Sequence, residues 1–91
     1  NGQASRRVFV TARLMVDRPQ NESSVVARLG VYQDAVLSDL VPFLQEYYRT
    51  HDAIDAKMTK ARMMATARKV YGEMVVDVIM VNVFDQENNM R

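Results

Sequence analysis

The chain has no cysteine, no tryptophan, one histidine, two prolines and three scattered glycines. Without cysteine there is neither a disulfide nor a thiolate metal site, and oxidising and reducing compartments are tolerated alike. Gly2, Gly30 and Gly72 stand far apart, so neither GxGxxG nor GxxxxGK[ST] is present and the sequence carries no phosphate-loop signal. The longest apolar runs, such as Val78 to Val81, fall far short of the ~20 residues of a membrane-spanning helix. Twelve Lys and Arg against eleven Asp and Glu leave a net charge of +1. No global field draws in nucleic acid or an acidic membrane, and recognition has to be local.

What is there is ordinary globular material: 48% of the 91 residues are hydrophobic and 25% charged. At this size folding buries only about 60 to 65% of the unfolded surface, so a partner or an oligomer is expected to supplement stability. The chain is expected to divide into a polar linker end (1–6), a single α+β domain (7–86) and a fraying tail (87–91). The start at Asn1, without initiator methionine or signal-peptide pattern, suggests an excised segment.

Two strand signals bracket about fifty residues of helical pattern. From Val8 to Val16 apolar residues alternate, with the even numbers facing the core. Asp17-Arg18-Pro19 closes that strand, and Asn21 or Ser23 is expected to cap a helix whose first turn carries Glu22. Apolar spacing continues from Val25 to Tyr48, with a kink or break expected near Leu40 because Pro42 removes a helical hydrogen bond. Asp52 is expected to cap a second helix, assisted by Asp55. Ile54, Met58, Ala61, Ala65 and Tyr71 form its apolar stripe, and Gly72 ends it. The closing strand, Val75 to Phe84, is apolar on both faces: Met74, Val76, Val78, Met80 and Phe84 on one, Val75, Ile79, Val81 and Val83 on the other. The two end strands must share one small sheet packed against two helices, one of them kinked. Two helices leave one sheet face uncovered, a surface for another subunit.

Catalytic equipment is thin. His51 sits in a polar corner beside Asp52 and Asp55, where a solvent-facing histidine outweighs a metal or acid-base role. Asp34 and Asp39 are five apart on a helix and point in different directions, so no two-carboxylate mechanism is supported. Gly30 inside a helix suggests a close approach to the sheet. Lys57, Lys60, Arg62, Arg68 and Lys69 give the second helix a basic side; without interleaved aromatics it reads as a solvated face, or as a partner for the acidic Asp34, Asp39 and Glu46 of a neighbouring first helix. Met58, Met63, Met64 and Met74 gather around the same helix as core filler or adaptable docking surface. No enzyme activity, metal or cofactor is expected.

Three stretches carry a family resemblance: RVFVTARLMVD (Arg7 to Asp17), VARLGVYQDAVLSDL (Val26 to Leu40) and VVDVIMVNVFDQ (Val75 to Gln86). Together they resemble the periplasmic, stomatin-like domain of FliL-type flagellar basal-body proteins. Pro42, Tyr47-Tyr48 and the basic, methionine-rich second helix depart from that pattern. The resemblance implies a non-catalytic scaffold in the bacterial periplasm, anchored to the inner membrane by a helix preceding this segment. It also implies a ring-like homo-oligomer around the stator in support of motility, built on a heterologous interface. Interface candidates are Ile79, Val81 and Val83 on the last strand, Lys57, Lys60 and Arg68 on the basic helix, and Asp34 and Asp39 on the acidic one. The competing class is a cytosolic ferredoxin-like module binding RNA or an acidic protein through the basic helix.

Overall fold

The computed structural model describes residues 5–88. Its order is β1 (Ser5–Val16), a 3-10 turn (Pro19–Asn21), α1 (Glu22–Ala27), α2 (Leu29–Tyr47), α3 (Ala56–Tyr71), a second 3-10 turn (Gly72–Met74) and β2 (Val75–Asn88). Among the described residues the two end strands pair antiparallel in a two-stranded sheet, so the domain is α+β as the sequence implies. The expected linker and tail give their inner residues to the strands: β1 starts at Ser5 and β2 runs to Asn88, while 1–4 and 89–91 lie outside the described residues.

β1 follows its alternation, with Val8, Val10, Ala12, Leu14 and Val16 packed against the core. β2 departs from the expected faces because two irregularities reset its phase. Thr11 and Ala12 pair with Asn82 and Met80, leaving Val81 extra; Met15 and Val16 pair with Asp77 and Val75, leaving Val76 extra. A β-bulge places two residues opposite one, so every side chain beyond it changes face. The inner face therefore carries Val75, Val78, Met80, Val83 and Asp85, opposite Val16, Leu14, Ala12, Val10 and Val8. Val83, expected to share a face with Ile79, is half-buried on the inner side.

The helical segment breaks at Arg28 (φ −107°, ψ 13°), where α1 ends and α2 begins, and not at Leu40. α2 runs through Pro42 without interruption. Ser38 and Pro42 are both exposed, so water can serve the carbonyl that proline leaves unpaired. Asn21 stands at the N-terminus of α1 without capping it, and its amide donates to Asp17 Oδ1 at 2.9 Å instead. Nothing lies within 4 Å of a Cβ built on Gly30, so the expected close approach is absent. Asp55, not Asp52, caps α3 by accepting the Met58 N–H at 3.0 Å.

α3 buries a different stripe from the one expected. Thr59, Met63, Thr66, Ala67 and Tyr71 face inward while Met58, Ala61 and Ala65 are exposed. The two threonines are admitted because each hydroxyl donates to the carbonyl one turn earlier, Thr59 to Asp55 at 2.8 Å and Thr66 to Arg62 at 2.9 Å. With the hydroxyl satisfied, the methyl group packs as an apolar one. Met63 is core filler, and Met64 and Met74 pack at its margin.

The core joins Val25, Tyr32, Leu40, Leu44, Met63, Ala67, Tyr71, Val75 and Val78. Fully burying a valine such as Val78 contributes about 1.5 to 3 kcal/mol. Two tyrosines tie the helices together at depth: Tyr71 Oη donates to the Val25 carbonyl at 2.9 Å, and Tyr32 Oη to the Met63 carbonyl at 3.1 Å. The body is elongated, with extents of 51 × 21 × 20 Å and a Cα radius of gyration of 14.9 Å. A compact chain of this length would have a radius of about 12 Å.

Candidate interaction surface

The surface that sets this domain apart is apolar, and it lies on both strands, α1 and α2. Phe9, Met15, Val76, Ile79, Val81 and Phe84 are exposed on the sheet, and Val26, Leu29, Val31, Leu37 and Val41 on α1 and α2. Phe9 and Phe84 are register partners on the outer face, their rings stacked with centroids 4.8 Å apart. Ile79 shares that outer face opposite Arg13, and Val81 is the bulged residue beside it. Of the three strand positions expected at an interface, Ile79 and Val81 are thus presented outward and Val83 is not.

A trough runs along the other side of β1. Its larger part, about 1050 Å³, lies between β1 and α2 and is lined chiefly by Val8, Val10, Ala12, Leu14, Val36, Leu37, Leu40 and Val41. The smaller part, about 580 Å³, continues it toward Arg18 and Val26, and both parts share Ala12, Leu14 and Leu29. This opening exists because α3 packs on β2, and α2 packs on α3 rather than on β1.

Two of the five charged candidates, Lys60 and Asp39, are engaged inside the domain. Arg62 Nε and Nη2 donate to the two carboxylate oxygens of Asp39, each at 2.9 Å, joining α3 to α2, and the guanidinium carbon sits 4.1 Å from the Phe43 ring centre. Lys60 Nζ lies 3.4 Å from Asp77 Oδ1 on β2. The acidic partner anticipated on a neighbouring molecule is therefore met, for Arg62, within the same chain. Lys57, Arg68 and Asp34 are exposed.

One polar cluster gave almost no sign of itself in the sequence. Asp85 comes to the inner face of β2 because of the bulges, and there its Oδ2 accepts from Tyr48 Oη and from the Ile54 N–H at 3.0 Å, with Arg6 Nη1 at 3.6 Å. Arg6 also stacks over the Tyr48 ring, 4.6 Å from its centre. Burial first, and then the hydrogen bond to Asp85, raise the Tyr48 pKa well above its ordinary value. The cluster fastens the corner between α2 and α3 to the sheet and fixes the approach to the Asp55 cap. Its only advance signal was an aspartate directly after the apolar run that ends at Phe84.

His51 stacks flat on Tyr47, centroids 4.0 Å apart, with Nδ1 within 3.1 Å of the Tyr47 carbonyl and 2.9 Å of Thr50 Oγ1. That is the arrangement of a histidine closing a helix end. Among the described residues no three His, Asp or Glu side chains converge as a metal site would require, and no helix is long and apolar enough to cross a membrane. The chain matches no protein-family model, no curated protein and no solved structure.

Proposed function

We propose that this domain is a non-catalytic scaffold that works by offering apolar surface to other polypeptides. The observation that carries this reading is the exposure of six large hydrophobic side chains on one face of a two-stranded ribbon, with a further apolar row on α1 and α2. Exposed apolar surface on this scale, rimmed by polar side chains such as Arg13 and Asn82, is the mark of a contact site. The resemblance to FliL-type domains gives the setting: the periplasmic side of a bacterial inner membrane, beside the flagellar stator, in a ring-like homo-oligomer that supports motility. In that setting the outer sheet face with Ile79 and Val81 supplies one side of the subunit contact.

The competing reading, a basic helix binding RNA or an acidic protein, keeps three exposed basic residues on α3, Lys57, Arg68 and Lys69, while Arg62 and Lys60 are held by Asp39 and Asp77. A ferredoxin-like module also needs a βαββαβ order, against the two strands described.

Sedimentation over a range of concentrations, on the wild type and on Ile79→Glu and Val81→Glu, tests the proposal. A species larger than the monomer that both substitutions dissolve is expected. A wild type that stays monomeric at every concentration, together with unaltered swimming when the gene is deleted in its source bacterium, would overturn it.

A further inference from the structure

The Asp17 N–H donates to the Met74 carbonyl at 2.8 Å, so this residue turns its backbone toward β2. Successive residues of a strand alternate in that respect, which directs the N–H and C=O groups of the even-numbered residues, Ala12 at the centre, to the opposite edge of β1. No strand pairs with that edge among the described residues. It is a row of unused donors and acceptors alongside the trough.

The trough has the width of a strand for a simple reason. Paired strands lie about 4.8 Å apart, whereas packed helices need about 8 to 10 Å. Two helices on a two-stranded ribbon therefore overhang it, and here the overhang is α2, whose Leu37 is 59% exposed over the gap. A strand added to β1 would turn one set of side chains onto Leu37 and Val41 and the other set to the outer face.

Charge then selects the occupant. β1 carries Arg6, Arg7 and Arg13 and no acid from Ser5 to Val16. Arg6 is taken up by Asp85, and Arg7 and Arg13 stand exposed on the outer face; the carboxylate on the diagonal from Arg13, Asp77 opposite Met15, is already held by Lys60. We infer that the free edge of β1 receives one extended segment of a partner polypeptide in which apolar residues, facing α2, alternate with acidic residues, facing Arg7 and Arg13. This inference rests on the scaffold reading and names the partner chemistry of a second surface on the same domain.

A second copy of the chain fits this edge poorly. Its β2 has the right charge, but the edge is interrupted by the bulges at Val81 and Val76, and it would carry its own α3 into the place that α2 occupies. A segment without a helix attached meets no such obstacle. Strand addition of this kind takes its affinity from the main chain and its selectivity from alternate side chains.

The test uses the whole chain and a fluorescein-labelled peptide of roughly ten residues, a full strand length, in which valine alternates with glutamate. Its counterpart has lysine at every glutamate position. Fluorescence anisotropy should show the glutamate peptide binding about tenfold or more tighter than the lysine peptide, and R7E/R13E should reverse the preference. Ala12→Pro removes a donor from the free edge without touching a bond to β2, and Leu37→Lys charges the overhang; each should weaken binding about tenfold, with the fold checked by circular dichroism. Equal binding of both peptides, no binding of either, or indifference to R7E/R13E and Ala12→Pro would overturn the inference. So would self-association that Ala12→Pro abolishes and the peptide does not compete with, because a second copy would then hold the edge. If the peptide fails while sedimentation still shows an assembly sensitive to Ile79→Glu, this inference falls and the scaffold reading stands; a monomer that binds the peptide upholds the inference and removes the homo-oligomer from the scaffold reading.

Discussion

Arg62 grips Asp39 through two parallel hydrogen bonds of 2.9 Å, and this fork joins the two long helices beside the bond from Tyr32 Oη to the Met63 carbonyl. Both side chains keep about a third of their surface in solvent, 37% and 34%, so screening limits what the pair contributes. Asp39→Asn and Arg62→Gln should each cost about 0.5 to 1 kcal/mol in urea unfolding. The double variant should cost less than the sum of the two. Strict additivity would mean that the fork does not couple the helices.

Asp85 presents a higher stake, because its carboxylate answers three groups in a mostly buried place. Asp85→Ala leaves the Tyr48 hydroxyl and the Ile54 N–H without that acceptor, and a loss of about 2 to 3 kcal/mol is expected. Hydrogen exchange should locate the damage: the Ile54 amide loses protection beyond the global change. Protection that falls uniformly would show that the corner is held by other contacts.

Tyrosine ionisation should set the alkaline limit of the fold. Tyr32 is pushed up to about 12 from its ordinary 10.0 by burial and, secondarily, by the neighbouring Tyr71. Burial likewise raises Tyr48 and Tyr71, with Arg28 pulling the latter back. A folded-state pKa above the unfolded one means that the neutral form is favoured by folding; the associated stability is intact below about pH 10 and drains away as pH rises through about 12. Unfolding followed by circular dichroism should therefore coincide with a steep rise in tyrosinate absorbance in that window. Smooth titration of Tyr32, Tyr48 and Tyr71 near 10, with the fold intact, would contradict their buried hydrogen bonds.

Two glycines make a paired comparison. Gly72 turns out of α3 at φ 64° and ψ −129°, a region closed to side chains, so Gly72→Ala should cost about 1 to 3 kcal/mol. Gly30 lies in the first turn of α2 with open space around it, and Gly30→Ala should gain about 0.5 to 1 kcal/mol. Melting temperatures that move in opposite directions verify the contrast.

Much of the fold could be read from the residues, and most failures share a cause. The alternation of β1 and the Gly72 stop were local patterns that survived, whereas the break expected from Pro42 and the cap expected from Asn21 did not. The faces of β2 were misassigned because a bulge is decided by the partner strand, which no periodicity in Val75 to Phe84 reveals. The buried stripe of α3 was missed because Thr59 and Thr66 count as polar until their hydroxyls are bonded one turn back. Asp55 displaced Asp52 as the cap because Asp85, far along the chain, holds the Ile54 amide and with it the point where the helix can begin. For the candidate site, apolar β2 marked Ile79, Val81 and Val83 as interface candidates but left open which of its faces points inward. The trough was invisible, since it arises from α2 standing on α3 and clear of β1, a tertiary choice.

The two bulges have a further consequence for how the ribbon assembles. In a long antiparallel pair with regular alternation, sliding one strand by two residues keeps every side chain on its own face and costs little. Here such a slide would set Val76 and Val81 against the wrong neighbours and drag Asp85 away from Tyr48 and Ile54. The extra residues thus act as notches on a key, admitting one alignment of terminal segments that meet only after the rest of the chain has been traversed.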